Sequence, residues 1–79
     1  MTHQYLVEEH RLFRGHPVAV KNFAQIDVGV NSPDRSLVAQ AKKALGWTGI
    51  KTNKKERGDV IFLSPIGQPN YQLSITFSH

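Results

Sequence analysis

Lys42, Lys43, Lys51, Lys54, Lys55 and Arg57 bring six of the chain's ten lysine and arginine side chains between positions 42 and 57. Cations at this density can neutralise successive phosphates. Each contact releases condensed counterions, so affinity is gained without reading sequence and is lost as salt rises. Arg35 lies upstream and Trp47 lies inside the run, where an exposed indole can stack on a base or on a partner's side chain. Local explanations compete. Lys42 and Lys43 answer the dipole of a helix ending near them, Glu56 and Asp59 dilute the field, and a tryptophan after a helix end commonly packs back on the core. We read Lys42, Lys43, Lys51, Lys54, Lys55 and Arg57, with Arg35 and Trp47 at the rim, as a surface for an acidic partner, either an acidic protein or, most simply, nucleic acid.

Other chemistry is thinly represented. His3, His10 and His16 lack the close ligand pairs of a zinc site, so no metal is expected. His10 with Glu8 or Glu9 has the residue types for proton transfer, and His10 or His16 in a basic protein suits a small nuclease. No spacing singles out a paired acid and base. Ser32, Pro33 and Asp34 open a helix whose free N–H groups attract anions, but Asp34 opposes one there. There is no glycine-rich phosphate loop, nucleophile elbow, Ser/His/Asp arrangement or nucleotide-binding fingerprint. Arg57-Gly58-Asp59 reads as a turn. The expectation is a binding module, with no catalytic residues and no cofactor.

The chain that must position these residues has 79 residues, a net charge of +4 and a pI near 9.8. Its 39% hydrophobic and 20% charged content is that of a folded protein, and its length allows one domain spanning 1–79 with a small core. It has no cysteine, which removes disulfides, thiolate metal sites and thiol catalysis. No signal-peptide pattern and no apolar run of membrane-spanning length is visible, so a cytoplasmic protein that does not enter a membrane is expected.

Residues 5–13 and 18–23 favour strands and are separated by the turn signal Arg14-Gly15-His16-Pro17, which predicts a hairpin. Residues 24–31 alternate apolar with polar or small, so the second strand either continues with a bulge to Val30 or breaks near Asn22. A helix is predicted over 33–45. Ser32 is its cap, Pro33 its first residue, Leu37, Val38, Ala41, Ala44 and Leu45 its apolar stripe, and Gly46 its stop. Residues 51–59 read as a basic loop. The apolar run 60–63 suits a central strand covered on both sides, 65–70 a turn, and 71–78 an alternating last strand.

The order β-β-α-β-β predicts an α+β fold, a small two-layer sandwich in which one helix packs on one face of a mainly antiparallel four-stranded sheet. This order departs from that of double-stranded RNA-binding domains. Tyr71 and Phe77 also lack the glycine and basic neighbours of an RNA-recognition sheet. If the second sheet face is open it suits a homodimer or a protein partner. A protein-interaction module that uses the open sheet face or an edge strand, a small inhibitor or accessory subunit and by general analogy one of a mobile genetic element, is the alternative to nucleic-acid binding.

Overall fold

A computed structural model describes residues 1–68 and 70–78 and gives the order β1 (Thr2–Phe13), β2 (His16–Gly29), α1 (Asp34–Ala44), β3 (Thr52–Arg57), β4 (Val60–Pro65) and β5 (Tyr71–Ser78). The strands form one antiparallel sheet in the order β2-β1-β5-β4-β3. The fold is therefore α+β with a helix on one sheet face, as expected, but the sheet has five strands rather than four.

The extra strand is the basic stretch itself. Thr52–Arg57 shows no apolar alternation, and at a sheet edge it needs none: its backbone pairs with β4 while its side chains reach solvent. Gly58, at φ +58, is the first of the two residues joining Arg57 to its partner Val60, a hairpin link that favours glycine there. With β3 outside it, β4 is the second strand from the edge and is covered by the helix layer on one face only. This corrects the expectation of cover on both faces, whereas β4 is an inner strand, flanked by β5 and β3. The central strand is β5, flanked by β1 and β4. Within the expected turn 65–70, Pro65 ends β4, Gln68 N–H donates to the Pro65 carbonyl, and Pro69 lies outside the described residues.

The first hairpin turns at Arg14 and Gly15, both at positive φ, so His16 and Pro17 already belong to β2. The bulged alternative for the second strand is the one observed. Glu9 faces Asn22 while His10 faces Val20, and Arg11 faces Ala19 while Leu12 faces Pro17, leaving Lys21 and Val18 as extra residues. Such insertions bend and twist a strand.

Pro33 occupies the N-cap without a side-chain hydrogen bond, so Ser32 does not cap the helix; its N–H instead closes a turn onto the Gly29 carbonyl at 2.9 Å. At the other end Gly46 takes φ +76 as expected. Trp47 N–H donates to the Lys42 carbonyl at 2.7 Å and Gly46 N–H to that of Lys43 at 3.3 Å, a pair of bonds that satisfies carbonyls the last helical turn leaves open. Leu37 and Ala41 of α1, with Leu45 and Trp47 just beyond it, form the core with Val7, Val28, Leu63, Leu73 and Ile75. The strand period of two then sends Leu6, Glu8, His10, Phe23, Phe62, Gln72 and Ser74 to the opposite face, which no helix among the described residues covers. Among the described residues no helix is long and apolar enough to cross a membrane.

Candidate nucleic-acid interface

Because the basic stretch is a strand, alternation divides it between the two sheet faces. Lys54 and Glu56 point to the helix side. Lys54 Nζ lies 3.2 Å from Glu56 and 3.6 Å from Asp34 of α1. Its pKa is held above the ordinary 10.5 by the hydrogen bond to Glu56 first; desolvation opposes this, and the charges of Glu56 and Asp34 and the contact with Asp34 add to the rise. Lys42 is also engaged, its Nζ donating to the Ile50 carbonyl at 2.7 Å. Arg35, Lys42 and Lys54 share a groove of about 430 Å³ between α1 and β3 that has Val38, Ala39, Thr52 and Leu63 on its other surfaces.

Lys55 and Arg57 take the other direction, onto the uncovered face. The bent β1-β2 hairpin brings Gly15 and Pro17 towards them, and these four line a recess of about 330 Å³ together with Phe62 and Gln72. Phe62 is half-buried and sits opposite Lys55 in the β3-β4 register. Lys55, Arg57, Lys43, Lys51 and Arg35 are exposed and make no hydrogen bond or ion pair through their side chains among the described residues. The six-cation cluster expected from sequence is thus not one surface. Lys55 and Arg57 stand together on the open face, Arg35, Lys42 and Lys54 along the helix, and Lys43 and Lys51 apart from both recesses.

Trp47 is not at a rim. It is 6% exposed, its Nε1–H donates to Glu9 Oε1 at 3.0 Å, and it lies outside the recess of Lys55 and Arg57, so it offers no stacking face beside those cations. The aromatic ring beside the free cations is Phe62. Nothing in the sequence singles it out, because an apolar run looks the same whether a strand is covered on one face or on two.

Near the centre of the same face His10 Nε2 lies 3.1 Å from Ser74 Oγ, and Glu8 is opposite Ser74 in register. Ser74 is 4% exposed, so the contact satisfies a buried hydroxyl and presents no accessible nucleophile. No group of three potential metal ligands occurs among the described residues. The open face therefore offers free cations, an aromatic ring and an amide, which suit electrostatic and stacking contacts. No family model matches the chain, and no curated protein and no solved structure shows significant similarity to it.

Proposed function

We propose that this protein is a small, non-enzymatic module that binds nucleic acid, in single-stranded form, across the open sheet face beside β3. The observation that carries the reading is the recess in which Lys55 and Arg57, without side-chain partners among the described residues, line the wall with Phe62 and Gln72. Phosphates meet the two cations, a base stacks on the ring, and the amide hydrogen-bonds a base edge. Arg35, Lys43 and Lys51 extend the positive field, while Lys42 and Lys54 are committed to internal contacts and contribute less.

Fluorescence anisotropy of labelled single- and double-stranded DNA and RNA at several salt concentrations tests this. The expected result is saturable binding to single strands, with a salt slope that falls by about 0.7 for each cation removed. Lys55→Glu and Arg57→Glu weaken binding whatever the sequence. Phe62→Ala costs about 1–3 kcal/mol of binding with little change in slope. Unchanged affinity in Lys55→Glu and Arg57→Glu overturns the assignment.

A second reading rests on a different observation. Phe13, Val18, Val20 and Phe23 are exposed along the β1-β2 hairpin, and Phe23 and Val20 stand opposite Glu8 and His10 on the open face. These apolar side chains favour a protein partner or a second copy of the chain docking there. Such a complex survives high salt, because apolar contacts are not screened, and sedimentation equilibrium in high salt separates it from the phosphate-bound kind.

A further inference from the structure

We propose that the recess between Trp47 and Tyr71 is a binding site for an alkylammonium cation, a quaternary or methylated ammonium group, which the chain's own Lys21 occupies in the unliganded state. The recess holds about 200 Å³ and is lined by Glu9, Lys21, Trp47, Ile50, Pro65, Gln68 and Tyr71. This is below the range of about 300–1,000 Å³ usual for drug-sized ligands, so it suits a head group rather than a large molecule.

Three observations define the chemistry. The Lys21 ammonium lies over the Tyr71 ring, 5.0 Å from its centroid, so the site already holds a cation against an aromatic face. Glu9 is half-buried, its Oε1 accepts the Trp47 indole N–H, and it forms no ion pair among the described residues. Its negative charge is left to act on whatever fills the recess. Lys21 is also the residue that the first β-bulge leaves without a β1 partner, and it is exposed, so it is a tethered occupant that can leave without breaking the sheet. A quaternary ammonium suits such a place better than lysine does. Its methyl groups spread the charge over aromatic and apolar walls, and it gives up few hydrogen bonds to water.

The site uses the helix-side surface and does not depend on Lys55, Arg57 or Phe62. Trp47 is the only tryptophan and lines this recess, so its fluorescence and its indole N–H resonance respond directly to an occupant. Titration of the intact protein with tetramethylammonium chloride, against sodium chloride at equal ionic strength, is the direct test. A saturable shift is expected with the organic cation only. Lys21→Ala, at an exposed position, tightens binding by about two- to five-fold, the factor that loss of a weak competing cation–π contact provides. Glu9→Gln keeps an acceptor for the indole N–H while removing the charge, and it weakens binding.

Peptides carrying trimethyllysine or unmodified lysine separate the two sources of such a group. Tighter binding of the trimethylated peptide than of tetramethylammonium supports a modified protein as ligand, and equal binding supports a small molecule. No saturable response in either the native chain or Lys21→Ala, or an equal response to sodium, overturns the proposal.

Discussion

The indole N–H of Trp47 enters the core already paired with the Glu9 carboxylate, so the contact between them is worth more than a neutral hydrogen bond. Trp47→Phe removes the donor and part of the ring, leaving a half-buried carboxylate short of one partner. A loss of about 1–3 kcal/mol is expected. Thermal denaturation followed by far-UV circular dichroism checks it, the melting temperature falling by about 4–8 °C per kcal/mol in a domain of this size. Leu63 and Leu73, fully buried and opposite one another on β4 and β5, set the scale for the core. Truncating either to alanine costs about 2–5 kcal/mol, more than the Trp47 hydrogen bond, because a cavity adds to the lost transfer energy.

At the scale of elements, two turns carry conformational preferences that side chains either meet or resist. Gly46 takes φ +76 at the helix end, and a Cβ there would touch nothing within 4 Å. The cost of Gly46→Ala is therefore purely conformational, about 1–2 kcal/mol, and is read as a lowered denaturation midpoint. Arg14 holds φ +53 in the first hairpin turn, a position that favours asparagine, and its guanidinium lies 5.4 Å from the Phe13 ring centroid. Replacing it with asparagine relieves about 1–2 kcal/mol of backbone preference. It forfeits an exposed cation–π contact of about 0.5–1 kcal/mol. Conformation outweighs contact, so Arg14→Asn is expected to raise the midpoint modestly. The Lys54 link between β3 and α1 acts in the alkaline range. Its pKa is raised on folding, so its stabilising effect is complete below 10.5 and is lost only as pH rises through the higher folded value. Stability near neutral pH should thus be insensitive to this lysine's titration.

For the molecule as a whole, β5 decides the fold. It is the last strand in sequence and the middle one in space, pairing Ser78 with Gln4 and Leu73 with Leu63. The sheet therefore closes only when the two ends of the chain meet. Such non-local pairing predicts refolding on a scale of about milliseconds to seconds, which stopped-flow fluorescence of Trp47 measures. It also predicts that a chain ending before Tyr71 does not fold, since β1 and β4 lose their shared neighbour, and circular dichroism of that truncation checks it.

Local physics made much of this legible in the sequence. The helix, its Gly46 stop, the first hairpin and the alternation of the last strand each depend on neighbours within a few residues, and each forms within two or three residues of where its pattern predicts, apart from the second hairpin strand, which is longer. What local pattern could not carry was decided by tertiary structure. Thr52–Arg57 has no apolar face, and only its pairing with β4 makes it a strand. That pairing then split one run of cations between two faces, giving Lys54 to Asp34 and Glu56 and leaving Lys55 and Arg57 free beside Phe62. Ser32 yielded the cap to Pro33, and Trp47 turned inward to Glu9, a residue 38 positions away. The sequence by itself determined the helix, the first hairpin, the last strand and how much positive charge the chain carries, because propensity and net charge are local or additive. Which cations share a face, which ring stands beside them and which carboxylate meets the tryptophan depend on strand order and register, and these are settled only when distant segments compete for one sheet.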